Sequence, residues 1–231
     1  MNPLQLYVLA GPNGAGKSTL SETFVSPGTD IFDGDKEMAS LRHQYPMTDS
    51  GTLYDAANGI VFQKRKEHAI TTGNDFAFET NFRTADVMDS VKQFKKAGYQ
   101  TRLIFIGLPS LTDSLFRVDV RVKAGGHFVD AENVGKNFSG GLENLVNYYD
   151  KFSSVDVFES TMEQSSPFKM NALLTIKNGI VTAQAENLPE WVMRLCNEID
   201  KKHEQEIRSQ VQEQPKQKKD RGRNGGFELG M

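Results

Sequence analysis

Eight residues near the start of the chain, Gly11-Pro12-Asn13-Gly14-Ala15-Gly16-Lys17-Ser18, constrain its fold more than any other feature. They follow a short apolar run, Leu4-Gln5-Leu6-Tyr7-Val8-Leu9, which reads as a buried parallel strand, and they lead into a helical pattern opening at Lys17. Glycines at 11, 14 and 16 let the backbone curl until successive N–H groups point inward, and the positive end of the following helix points the same way. That arrangement is a cradle for phosphate. Lys17 has the reach for β- and γ-phosphates, Ser18 carries a hydroxyl suited to Mg²⁺, and Thr19 adds one near an α-phosphate.

Three further groups carry chemistry-bearing side chains. Asp33-Gly34-Asp35 ends a brief second strand, Asp30-Ile31-Phe32, at the sheet edge where ligands of open parallel sheets bind. A carboxylate there, with Asp35 the candidate, accepts a proton from an attacking hydroxyl; an ordinary turn whose second acid caps a helix beginning at Lys36 is the alternative. Glu79 and Thr80 end a third strand, Phe76-Ala77-Phe78, where Glu79 would hold a water on Mg²⁺, orient Lys17 or bind substrate hydroxyls. Arg117 and Arg121 are four apart and so share a helix face, from which guanidinium groups can neutralise charge on a moving phosphoryl group. An exposed pair beside Asp113 and Asp119 is the competing reading, and His127 reads as a turn or packing residue.

Strand and helix patterns alternate along most of the chain. Helices are expected over Lys36 to Tyr45, Tyr54 to Thr72, Thr84 to Ala97, Ser110 to Lys123, Ala131 to Phe152 and Leu188 to about His203. Strands are expected at Thr101 to Leu108, Val155 to Phe158 and Ala172 to Ile176, the last turning at Lys177-Asn178-Gly179 like a hairpin. The pattern predicts an α/β fold, a parallel sheet flanked by helices, in one domain over residues 1–200. Residues 201–231 carry eight Lys or Arg and five acids with few apolar residues, so a charged, flexible tail is expected there, a helical extension that fades into disorder. A net charge of −3 gives no general attraction to nucleic acid or acidic lipid. The single cysteine, Cys196, favours a reducing compartment. The first residues lack the basic start of a secretion signal, and no window approaches the run of about 18 to 20 apolar residues that spans a bilayer. The expected location is the cytoplasm, with neither nucleic acid nor membrane as partner.

The phosphate loop, Asp33-Gly34-Asp35, Phe78-Glu79-Thr80 and the string Arg117-Val118, Arg121-Val122, Gly125-Gly126-His127-Phe128-Val129 together resemble the zeta toxin family of P-loop kinases. The likeness spans roughly Leu4 to Leu195. It implies a P-loop kinase-like fold and transfer of phosphate from ATP or GTP, with Mg²⁺, to a hydroxyl of a small metabolite such as the UDP-amino sugar UDP-N-acetylglucosamine. It also implies an antitoxin partner. By that likeness Lys17 binds phosphates, Asp35 is the base, and Arg121 with Arg117 clamps the transferring group, while Asp33, Glu79 and Thr80 face the acceptor. Where the family carries a second lid arginine this chain has Lys136 and Asn137, either of which could take its place, with Lys136 read as a further substrate-binding candidate; a family glutamate before the third strand falls at Gln63.

A different class of function fits the loop as well, a nucleotide-dependent regulatory ATPase acting on a protein partner. No N-K-x-D motif for guanine is present, which argues against a Ras-like switch.

Overall fold

The computed structural model describes residues 3–163 and 166–220. The chain begins with β1 (Gln5–Ala10), α1 (Lys17–Phe24), β2 (Asp30–Phe32), α2 (Gly34–Gln44) and α3 (Ser50–Asp55). A π-helical turn, Ala56–Val61, leads into α4 (Phe62–Thr72), followed by β3 (Phe76–Thr80), α5 (Val87–Lys96) and β4 (Gln100–Gly107). Then come α6 (Leu111–Lys123), α7 (Ala131–Tyr148), β5 (Ser154–Glu163), β6 (Ser166–Lys177), β7 (Ile180–Gln184) and α8 (Glu190–Asp220).

The strands form one seven-stranded sheet in the order β2-β3-β1-β4-β5-β6-β7. The first five are parallel, while β6 and β7 run antiparallel at one edge. The sheet is therefore mixed, not wholly parallel: the expected hairpin at Asn178-Gly179 is present, and β5 and β6 form a second, longer one. Alternation along β1 sets the two layers. Leu6, Val8 and Ala10 join a core with Phe76, Phe78, Phe105, Val155 and the inner faces of α5, α7 and α8; Tyr7 and Leu9 face the other side with Ala77, Ile104 and Ile106.

The path of the chain fixes where a ligand can sit. From β1 the chain runs out past β3 to β2, returns through β3, then crosses β1 to β4. The strand order thus reverses at β1, and the carboxyl end of that strand is the crevice where open α/β sheets bind ligands. Gly11 turns the chain out of β1 with φ +146°, and a Cβ there would lie 2.1 Å from Ile106 O, so no other residue fits this turn.

Element boundaries depart from expectation in ways with local causes. α2 starts at Gly34 because Asp33 caps it, its carboxylate accepting from the amides of Asp35 and Lys36. The helix expected from Tyr54 to Thr72 is broken by the π-helical turn, in a stretch holding Gly59 and the β-branched Ile60 and Val61. α8 continues to Asp220, so the helical extension expected beyond His203 is long. The tail residues 221–231 lie outside the described residues.

Candidate active site

Lys17, the first residue of α1, folds back over the loop that precedes it. Its ammonium donates to Gly11 O at 2.8 Å, Pro12 O at 3.1 Å and Asn81 Oδ1 at 3.0 Å. Burial pushes its pKa down to about 8, against the opposing pull of Glu79, Asp35 and Asp33, while the positive charge of Arg121 lowers it further. These influences bring together, around one ammonium, residues from the ends of β2 and β3 and from α6.

Ser18 Oγ donates to Glu79 Oε2 at 2.6 Å, tying the first turn of α1 to the end of β3. The other carboxylate oxygen of Glu79 is buried with no hydrogen-bond partner among the described residues. Burial raises the pKa of Glu79, more than its bond from Ser18 and the charge of Lys17 lower it. A hydroxyl and a carboxylate with one oxygen unanswered fit the place of a hydrated Mg²⁺, which takes few protein ligands when phosphates supply the rest. No cluster of three or more His, Cys, Asp or Glu occurs among the described residues, so a metal held by protein alone is not built here.

The two acids of Asp33-Gly34-Asp35 separate. Asp33 is buried as the cap of α2, 3.0 Å from the Asp35 amide and 3.2 Å from that of Lys36, with the Lys36 ammonium at 3.7 Å. The capping acid is thus the first of the pair, where the sequence alternative had the second. Asp35 stands exposed in the first turn of α2, on the Lys17 side. Thr80 Oγ1 accepts from the amide of Phe82, closing a turn in which Phe82 takes a left-handed φ of 54° and Asn81 is aimed at Lys17.

The arginines also separate. Arg117 is buried, and its guanidinium donates to Gly14 O at 3.2 Å, Ser160 Oγ at 2.8 Å and Ser160 O at 2.9 Å, pinning the phosphate loop to β5. Burial lowers its pKa. Arg121 donates to His127 O at 3.0 Å, and its Nε is buried with no hydrogen-bond partner among the described residues. On α7, Lys136 pairs with Glu132 on the exposed side of the helix. Its neighbour Asn137 is the one that reaches the loop, donating to Asn13 Oδ1 at 2.8 Å. Ser114 Oγ donates to Asn13 O at 2.7 Å.

Of the loop positions read from the sequence, Gly11 and Pro12 supply carbonyls to Lys17, Asn13 and Gly14 are held from outside, and Ala15 is buried in the core. Gly16 adopts φ 90° to open α1, and Thr19 is exposed one residue past Ser18. Sequence reasoning passed over Asn81, Ser114 and Ser160. Asn81 had a signal, its position two residues past the strand-end Glu79; the two serines had none.

The fold and the loop define a P-loop protein of kinase-like architecture, with a nucleotide-phosphate cradle at the switch point of the sheet. Residues 3–166 match the zeta toxin family, and the chain belongs to it. A Haemophilus influenzae protein, described only as uncharacterized, is 29% identical over 126 residues, which is 54% of this chain and 86% of that one. The crystal structure of AvrRxo1-ORF1:-ORF2 with ATP superposes with a TM-score of 0.60 at 14% identity, over 78% of this chain but only 60% of that one. The PezAT chromosomal toxin–antitoxin system of Streptococcus pneumoniae superposes with a TM-score of 0.52 at 15% identity, over 87% of this chain and 88% of that one. These two share the fold.

Proposed function

We propose that the chain is a kinase that moves the γ-phosphoryl group of ATP or GTP to a hydroxyl of a small metabolite, a UDP-amino sugar such as UDP-N-acetylglucosamine being the first acceptor to try. The observation that carries this reading is the exposed Asp35 carboxylate in the first turn of α2, just past β2, whose charge reaches the phosphate-loop ammonium. Phosphoryl transfer needs little covalent work from a protein, only positioning and charge. Asp35 accepts the proton of the acceptor hydroxyl as its oxygen bonds to the γ-phosphorus. The bond from that phosphorus to the β–γ bridging oxygen breaks, and the nucleoside diphosphate leaves. Lys17 and Arg121 offset the negative charge on the oxygens of the moving group. Ser18 and Glu79 would hold Mg²⁺, which supplies charge neutralisation across the β- and γ-phosphates when bound.

The same reading gives Asp33 the task of fixing the α2 terminus, so that Asp35 is presented, and Thr80 the task of shaping the acceptor side. Arg117 acts through the loop it holds. An antitoxin protein is the proposed macromolecular partner, supported by membership of the family and by the toxin–antitoxin system that shares the fold. No described helix is long and apolar enough to cross a membrane; the cytoplasm is the proposed site of action.

The test is incubation with γ-labelled ATP or GTP, Mg²⁺ and a panel of nucleotide sugars and free sugars. Label transferred to one acceptor, and lost in Asp35→Ala, is the expected result. Turnover to free phosphate alone, with no acceptor labelled, would replace the kinase with a nucleotide-dependent ATPase.

A further inference from the structure

We infer that α7 is a brace that sets the gap between the phosphate loop and the turn after β3, and that Asn137 is the residue through which it positions the loop for a nucleoside triphosphate. The inference rests on the proposed nucleotide site but concerns a helix that supplies it no cation.

One stripe of α7 meets both walls of the site. Asn133 Oδ1 accepts from Arg83 at 3.0 Å, Asn137 reaches Asn13, and Asn144 Nδ2 donates to Phe82 O at 2.8 Å. Between them, Gly140 and Gly141 lie so close to the turn after β3 that a Cβ would stand 2.8 Å from Arg83 O and 2.7 Å from Asn81 O, respectively. Spacings of three and four residues place all five on one helix face. At the far wall α7 therefore lies against the backbone of Asn81, the residue whose side chain grips Lys17. The near wall is the outer turn of the phosphate loop, where Asn13 and Asn137 are both buried.

The chemistry of that contact favours positioning over packing. A buried amide-to-amide bond is directional, and removing either partner leaves a polar group without its bond. Asn137 carries no charge, so it cannot itself neutralise phosphate; its bond holds the Asn13 side chain, beside the bonds by which Ser114 and Arg117 hold the backbone carbonyls of Asn13 and Gly14. Backbone amides at this turn form the cradle, and their direction depends on how the turn is held. Loosening the near wall should therefore weaken triphosphate binding without touching a phosphate-contacting cation.

A double-mutant cycle decides it. ATP affinity and Tm are measured for the full chain, Asn13→Ala, Asn137→Ala and the double variant. The expected result is that each single variant binds ATP about threefold to tenfold more weakly, while the double variant is no weaker than the weaker single, as for two residues acting through one bond. Additive losses with wild-type ATP binding intact overturn the positioning role alone, as does an Asn137→Ala variant whose Tm falls with unchanged ATP affinity. A wild-type chain that binds no ATP overturns the nucleotide-site reading and the brace with it. Asn144→Ala, at the opposite wall, gives a second measure: its affinity loss should add to that of Asn137→Ala.

Discussion

The hydroxyl of Ser18 and the carboxylate of Glu79 meet at 2.6 Å across the phosphate crevice, joining the first turn after the loop to the end of a neighbouring strand. Two parallel strands, β1 and β3, deliver them, so the pairing follows from the register that puts Ala10 beside Thr80. Glu79 is then half-buried with one oxygen unanswered and its pKa raised, which is costly unless a cation completes it.

Glu79→Gln should raise the Mg²⁺ concentration needed for half-maximal activity by about tenfold or more, the usual effect of losing an outer partner of a metal site. ATP binding measured without Mg²⁺ should change little. Equal Mg²⁺ dependence in the variant and the parent would remove Glu79 from the metal's surroundings and leave it the role of orienting Ser18.

The lowered pKa of Lys17, about 8, sets a pH dependence for nucleotide binding. A triphosphate favours the charged ammonium, so its pKa rises in the complex. Below about 8 the lysine is already protonated in the free protein, and affinity carries no proton uptake from this group. Above it, binding must take up a proton, and affinity should fall by up to tenfold per pH unit until the pKa of the complex is reached. Calorimetric titrations between pH 7 and 9.5 in buffers of different ionisation heat would show the proton uptake. A flat affinity over that range would place the lysine's pKa well above 8.

Much of this was legible in the sequence because it rests on local rules. A glycine-rich loop between an apolar run and a helix has few readings, and the alternating pattern led to the sheet and its flanking helices. The site beyond the loop was legible in part. Asp33 and Asp35 look equivalent in a string, and only the cap geometry tells them apart, one facing the helix amides and the other solvent. Arg117 and Arg121 share a spacing rule, but burial beside Ser160 depends on how far β5 runs, and the apolar pattern of β5 stops at Phe158. Lys136 and Asn137 differ by one position on a helix, hence by about 100° of rotation, and the phase is set by tertiary packing.

The two arginines should separate under mutation. Arg117→Ala removes two buried hydrogen bonds to Ser160 and a partly buried one to Gly14 O, leaving those groups without this partner, at a cost of about 1–3 kcal/mol, or a drop in Tm of several degrees for a chain of this size. Arg121→Ala should shift stability by no more than about 0.5 kcal/mol while lowering kcat about a hundredfold or more, as expected of a group that meets charge developing in the transition state. Thermal melts beside single-turnover rates would distinguish them. Matching losses of stability in both variants would mean that α6 is a structural helix throughout.

Asp35→Asn is the sharpest single change, because it alters charge and proton affinity while keeping shape. The amide cannot accept the hydroxyl's proton, so kcat should fall by about 10²–10⁴-fold, the range that general-base catalysis contributes. Asp35 is exposed and makes no contact that holds α2, whose cap is Asp33, so Tm should hold. Removing a negative charge whose field reaches Lys17 should leave ATP affinity equal or slightly higher, since that charge also repels the phosphates. A loss of kcat with undiminished ATP binding therefore isolates the chemical step. If instead the acceptor's KM rises while kcat stays, the carboxylate binds the acceptor and the proton leaves by another route, with the Glu79 carboxylate beside Ser18 a candidate.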